Sequence, residues 1–488
     1  MQIPYFIYIC ISKILKIQQM RLRIVSTLMA WVVLALVGIL PCAAVDIVPY
    51  PQSVKMTDAV FNKEKIGKVK YVTDKELPAE AYELQILKNG IVVKSSDDAG
   101  RFYALQTLNQ LAEDEVMYCG VIRDVPRFKW RGFMLDESRH FFGKKQVMRV
   151  LDIMARYKLN RFHWHLSDNQ GWRVEIKAFP QLTTVGGIGC NTDANAPAKF
   201  YTQDEIREVI AYASERHIEV IPEIDMPGHA SAFVRAMPHL DGKHQTVNPA
   251  KEETFTVLKT IYQELANLFP GRYLHIGGDE VIKAGWESLP EVQELVKKEN
   301  YQSMSEVEEH FCRRLADIIT ETGKNVVAWD DLIDSGTSPE GKVMLWWHTD
   351  FPKFLAEGAD KGFDMVVCPD MPFYLDFVQD SNDKVGHLVD RKCYNYMKQI
   401  YEYGILDNPH VIGVQSNLWT EKVVTTQRME YMIFPRLIAL AEKGWTDSRN
   451  MDYNSFLKRM EKQYRYLDKL GVYYYDGRDT SRHPEPQR

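Results

Sequence analysis

Cysteine is sparse in this chain, and long apolar stretches are sparser. Seven cysteines stand among 488 residues, and the five beyond residue 44 (Cys119, Cys190, Cys312, Cys368 and Cys393) are scattered. That spacing excludes a disulfide framework or a cysteine-based metal knot and leaves buried thiols. The net charge of −6 is mild. No basic stripe interleaved with aromatics occurs, which excludes nucleic acid as a partner. No glycine-rich phosphate loop opens a helix, so a doubly wound nucleotide-binding sheet lacks its signature. No Pro/Gly/Ser-rich linker divides the chain. With 45% hydrophobic and 26% charged residues, the composition is that of a globular protein with a sizeable core.

One apolar run does stand out. It extends from Ile24 to Leu40, behind Arg21-Leu22-Arg23 and ahead of Pro41-Cys42-Ala43-Ala44. A basic start, an apolar centre and small residues before a cut after Ala44 describe a secretory signal over residues 1–44, with Met20 as an alternative first residue. The expectation is export, to a periplasm or the exterior, with no stable membrane span once the signal is removed. A retained anchor is the alternative, since the run nearly suffices to span a bilayer. Lipid attachment at Cys42 is a further one, against which Pro41 speaks.

Residues 45–125 mix short β-prone runs such as Gly90–Lys94 with one helical stretch, Gly100 to Ala112, where Phe102, Leu105, Leu108 and Leu111 share a face. This predicts a small α+β domain packed directly on the next segment. Over residues 126–450 strands and helices alternate. The strand candidates are Gly132–Leu135, Arg161–Leu166, Glu219–Ile224, Tyr273–Ile276, Val326–Trp329, Val343–Trp346, Met365–Cys368 and Val411–Gln415. Between them lie amphipathic stretches such as Lys145–Lys158 and a capping box, Thr202 to Glu205. Eight strand–helix units predict a (β/α)8 TIM barrel. Residues 451–488 form a tail, helical over Tyr453–Leu470, to be packed on the barrel or on a second subunit.

The reactive residues fall at the strand tips. The first strand leads to Asp136, Arg139 and His140, the second to His163-Trp164-His165 and Asp168, the third to Glu223, Asp225 and His229. The fourth ends in Asp279-Glu280, the fifth in Trp329-Asp330-Asp331, the sixth in Trp346-Trp347-His348, the seventh in Tyr374 and Asp376, and the eighth in Trp419 and Glu421. A barrel gathers all of these on one face. Carboxylates beside indoles suit glycoside hydrolysis, which needs an acid for the leaving oxygen and a group that stabilises an oxocarbenium-like centre. From the residues alone, either Asp279 or Glu280 is the acid. Adjacent strand residues point to opposite faces, so the two are not expected to flank one bond. The pattern of His163, His165, Asp168 and His229 also admits a metal-dependent hydrolase, and a glycan-binding relic without turnover is the other alternative.

His275-Ile-Gly-Gly-Asp-Glu280, His163-Trp-His-Leu-Ser-Asp-Asn-Gln-Gly-Trp-Arg173, Pro222-Glu-Ile-Asp-Met-Pro-Gly-His229 and Trp419-Thr-Glu421 together resemble glycoside hydrolase family 20, the exo-acting β-N-acetylhexosaminidases. The resemblance implies a retaining glycosidase that releases terminal β-linked N-acetylhexosamine (GlcNAc or GalNAc) through an oxazolinium intermediate formed by the substrate's own acetamido oxygen. It implies a glycan as partner and neither metal nor cofactor. By the same resemblance Glu280 is the general acid/base, and Asp279 orients and polarises the acetamido group. Tyr374 donates to its oxygen, and Asp168 and His229 are coupled to the acid. Trp329, Trp346 and Trp419 wall the pocket, with Trp347 the alternative to Trp346. Arg139, Asp376 and Glu421 hold hydroxyls. The loop from Thr184 to Ala198 is either pocket rim or plain surface.

Overall fold

The computed structural model describes residues 45–383, 385–387 and 393–479. The expected export signal, 1–44, and the end of the expected tail, 480–488, lie outside them. Among the described residues no helix is long and apolar enough to cross a membrane.

The first unit is a five-stranded sheet of β1 (Ser53–Val60), β2 (Val69–Thr73), β3 (Tyr82–Leu87), β4 (Gly90–Ser95) and β5 (Tyr118–Asp124), ordered β1-β5-β3-β4-β2. The helix Asp98–Ala112 lies against it. Asp97 caps this helix by accepting from the Gly100 amide at 2.7 Å, and Tyr103, Ala104, Leu108 and Leu111 are buried.

The second unit is the closed parallel barrel: β6 (Trp130–Asp136), β7 (Arg161–His165), β8 (Glu219–Glu223), β9 (Tyr273–His275), β10 (Asn325–Trp329), β11 (Lys342–Trp346), β12 (Asp364–Val367) and β13 (Val411–Leu418), with β13 paired to β6. Alternation along each strand separates two cores. Trp130, Ile221, Val327, Trp329, Val343, Leu345 and Val366 fill the barrel interior. Their neighbours Phe133, Val220, Val326, Ala328, Met344 and Trp346 pack outward into the helix layer. Helices such as Lys144–Arg156 and Gln203–Ser214 supply the other half of that layer, and the second starts at the Thr202/Glu205 capping box. The helix Tyr453–Lys469 packs on the barrel's own last helix, Arg436–Trp445. Phe456, Met460 and Leu467 join the main core, and Arg459 forks onto Glu442 with two contacts of 2.6 Å.

A buried polar knot joins the two units. Asp124, at the end of β5, accepts from Lys158 Nζ (2.9 Å), Trp445 Nε1 (2.9 Å) and the Tyr82 hydroxyl (2.7 Å). Trp445 itself completes the small domain's core. The domains therefore share a buried interface. Removing one partner of a buried ion pair strands the other's charge, at a cost of about 3–5 kcal/mol. Asp124→Ala should lose stability on that scale in urea titration, and a loss below about 1 kcal/mol would show that the knot is not what couples the units.

Candidate active site

Strand β9 stops at His275, four residues before the carboxylate pair. Gly277 and Gly278 come next with φ of +70° and +99°, and a Cβ at Gly277 would lie 1.9 Å from the Asp225 carboxylate. Only glycine fits that approach. The backbone then turns so that Glu280 sits in the left-handed region at φ +50°. This corrects the expectation of opposite faces: the pair lies beyond the strand, and both residues line one cavity of about 200 Å³. Asp279 is buried with its Oδ1 unpartnered, whereas the Glu280 side chain is 61% exposed.

Tips of the other strands close the cavity. Arg139, His229, Trp347, Tyr374, Asp376, Trp419 and Glu421 all line it. Trp347 and Tyr374 lie nearly parallel with centroids 6.4 Å apart, and Trp419 meets Tyr374 at 6.0 Å. Trp329 stands beneath, 5.8 Å from Trp419, with its Nε1 donating to Glu223 Oε1 at 2.9 Å. The Arg139 guanidinium lies over the Trp419 ring at 4.9 Å and 3.5 Å from Glu421. Asp376 is buried, and its Oδ1 is also unpartnered. Buried acceptors without donors are costly unless a ligand supplies them.

Alternating charges run from the barrel interior to the cavity. Glu223 faces His165 Nδ1 at 2.5 Å, and His165 Nε2 faces Asp168 at 3.1 Å. Asp168 also takes Arg139 at 2.7 Å and His229 Nδ1 at 3.2 Å. His229 Nε2 then lies 3.6 Å from Glu280 and 3.8 Å from Asp279. Burial disfavours a charged His229, but the Asp168 carboxylate outweighs that and raises the imidazole well above its ordinary range. The His229 imidazole beside it in turn holds Glu280 below the usual carboxylate range. Asp279 moves the other way. Burial, joined by the charges of Glu223 and Glu280 and opposed by His229, pushes it up to about 6. The imidazoles of His163 and His165 commit their nitrogens to Glu223, Asp168 and Gln415. The ligand atoms of His163, Glu223 and His275, and those of His165, Asp168 and Asp225, also lie close enough together to hold a metal ion.

Of the residues expected at the site, Glu280, Asp279, Tyr374, His229, Arg139, Asp376, Trp419 and Glu421 meet around one cavity, with Asp168 and Trp329 directly behind. Trp346 does not. It packs in the helix layer, because Val343 and Leu345 take the inward positions of β11 and leave Met344 and Trp346 outward. The next inward residue is Trp347, which lines the cavity and donates to Asp331 at 3.2 Å. Asp370, Phe377 and His387 also line the cavity, beyond the residues expected there. Phe377 directly follows Asp376, whereas His387 sits in a loop with no sequence signal. The loop after Thr184 does not itself line the cavity but braces two residues that do: Asn191 donates to the Arg139 and Glu421 carbonyls at 2.8 and 3.0 Å.

Carboxylates beside aromatic walls, at the carboxyl end of a (β/α)8 barrel, are the make-up of barrel glycoside hydrolases. Comparison narrows the class. The chain belongs to glycosyl hydrolase family 20: residues 128–448 match the model of its catalytic domain and residues 60–125 that of its domain 2. A beta-hexosaminidase of Porphyromonas gingivalis is 35% identical over 450 residues, covering 85% of this chain and 57% of that protein. One from Vibrio furnissii is 36% identical over 407 residues, covering 76% and 66%. The chain thus spans less than two thirds of the length of these two relatives. A crystal structure of a GH20 exo beta-N-acetylglucosaminidase from Vibrio harveyi, in complex with N-acetylglucosamine, superposes with a TM-score of 0.80 at 31% identity, covering 89% of this chain and 79% of that one.

The raised Asp279 carboxyl carries a stability consequence. Its folded value of about 6 exceeds the ordinary 3.8, so the benefit of the neutral form is complete below about pH 4 and is lost as pH rises through 6. Asp279→Asn, neutral throughout, should stabilise the protein at about pH 7.5 by on the order of 2 kcal/mol and give no gain at about pH 4. Urea midpoints at the two pH values check this. An unchanged or lower midpoint at the higher pH would contradict it.

Proposed function

We propose that this chain is an exo-acting β-N-acetylhexosaminidase that cleaves terminal β-linked N-acetylhexosamine with retention, using the substrate's acetamido oxygen as nucleophile. One observation carries the reading: a buried carboxylate with an unpartnered oxygen, Asp279, sits beside an exposed one, Glu280, and a single histidine faces both. Two adjacent carboxylates in such different surroundings suit two different tasks.

Asp279 accepts from the acetamido N–H and, ionised, stabilises the positive charge that develops on that nitrogen. Tyr374 donates to the acetamido oxygen and aims it at the anomeric carbon. As that oxygen attacks, the bond from the anomeric carbon to the leaving oxygen breaks, and Glu280 delivers its proton to the leaving oxygen. In the open cavity His229 holds Glu280 ionised. A bound sugar displaces the water around its exposed side chain, and that desolvation raises its proton affinity. Glu280 then takes a proton from the water that opens the oxazolinium ring. Trp347, Trp419 and Tyr374 enclose the acetamido group over Trp329, and Arg139, Asp376 and Glu421 bind hydroxyls through charge-assisted hydrogen bonds. The basic, apolar and small-residue pattern at the N-terminus supports export ahead of this activity.

An aryl β-N-acetylglucosaminide should be hydrolysed, and the matching β-glucoside, which lacks the acetamido group, should be at least about a thousandfold poorer. Asp279→Asn should lower kcat on the good substrate by about a hundredfold or more, with a smaller change in KM. Comparable hydrolysis of the two glycosides, or an Asp279→Asn enzyme within about twofold of wild type, would overturn the proposal.

A further inference from the structure

Glu223, buried inside the barrel, is contacted by three imidazoles, and their other partners reveal which of them is charged. Gln415 Oε1 accepts from Trp130 Nε1 at 3.1 Å, which fixes the amide orientation and directs Gln415 Nε2 to donate to His163 Nδ1 at 3.1 Å. His163 is therefore neutral and carries its proton on Nε2, 2.9 Å from Glu223. His275 Nδ1 accepts from the Gly277 amide at 2.9 Å, so it is unprotonated as well, and its longer approach to Glu223 Oε1, 3.3 Å, is not a hydrogen bond. Burial keeps both rings below the ordinary histidine range.

His165 is different. Its Nδ1 meets Glu223 at 2.5 Å and its Nε2 meets Asp168 at 3.1 Å. Both partners are carboxylates, which only accept. A neutral imidazole has one N–H and would set a lone pair against one of them. The two contacts together require the imidazolium. Asp136 on β6 and Asp225 beyond β8 also face this part of the barrel, Asp136 adding negative charge around the ring, while Arg139 lies across Asp168.

We infer that His165 is a positioning residue, an imidazolium fixed between Glu223 and Asp168 that keeps Asp168 turned to His229 and so holds the acid Glu280 in register. The inference rests on the acid role proposed for Glu280 and extends it two residues into the barrel. Loss of the His165 proton places an Nε2 lone pair 3.1 Å from Asp168. The carboxylate turns away, His229 loses its acceptor, and Glu280 loses the charged neighbour, 3.6 Å away, that aligns it. Burial works against the charge on His165, but Glu223 and Asp168 outweigh it and raise the ring well above the ordinary range.

Proton–nitrogen correlation spectra of the wild-type protein, labelled with 15N-histidine, should show, besides the partly exposed charged ring of His229, one fully buried imidazole with two slowly exchanging N–H groups, unchanged between about pH 6 and about pH 8. Absence of such a ring would overturn the inference without reference to activity. In Glu223→Gln the anion that sustains the charge is gone, so the His165 proton is lost at lower pH. The alkaline limb of kcat/KM on an N-acetylglucosaminide should then move toward acid by about one unit or more, most visibly for poor leaving groups. A uniform loss of activity with an unmoved limb would also overturn it. If Glu223→Gln does not fold, the wild-type spectrum decides alone. If the wild-type enzyme cleaves no acetamido sugar, the proposed function fails while the spectrum still tests the charge on His165.

Discussion

Asp168 is the carboxylate around which the mouth of this barrel is arranged. It meets Arg139 from the first strand's tip, His165 from the second strand and His229 from beyond the third. Burying one anion is tolerable only if cations and donors surround it, and these three do so from separate elements. Each cation then has a second task. Arg139 reaches Glu421 and covers Trp419, His165 reaches Glu223, and His229 reaches the Asp279-Glu280 pair. Displacing Asp168 would release every one of these contacts at once.

The geometry at the pair comes with local strain. His229 and Glu280 face one another, and both adopt left-handed backbone at φ +48° and +50°, a conformation that side chains other than glycine rarely take. Asp279 adds a buried oxygen without a donor. A folded chain optimised for stability alone would avoid all three. Their concentration at one cavity is the pattern of a site built for a ligand, and under the proposed function that ligand is a sugar whose N–H would meet Asp279.

Much of this was legible in the sequence because strand periodicity and tip chemistry are local. The eight strands fall on the β-branched and aromatic runs, and the polar residues after them converge as a barrel requires. Period two also contains the answer for Trp347. Val343 and Leu345 face inward, so the next inward indole is 347 and not 346. The same alternation marks Glu223, in register with His165 across β7 and β8, as an interior carboxylate. Other features depend on dihedral angles and distant partners. That Gly277 and Gly278 swing both carboxyls into one cavity follows from positive φ, which residue type permits but does not require. The joining of the small domain to the barrel through Asp124, Lys158 and Trp445 pairs residues far apart in the chain, each ordinary in its own segment.

The central claim is that the substrate's acetamido oxygen, positioned by Asp279, makes the first bond to the anomeric carbon. Progressive fluorination of the N-acetyl group weakens that oxygen as a nucleophile while barely changing the size of the sugar. Across N-acetyl, N-fluoroacetyl, N-difluoroacetyl and N-trifluoroacetyl aryl glycosides, kcat/KM should fall at every step, by about tenfold or more each. A flat series would mean that a protein group or a water, and not the acetamido oxygen, attacks first.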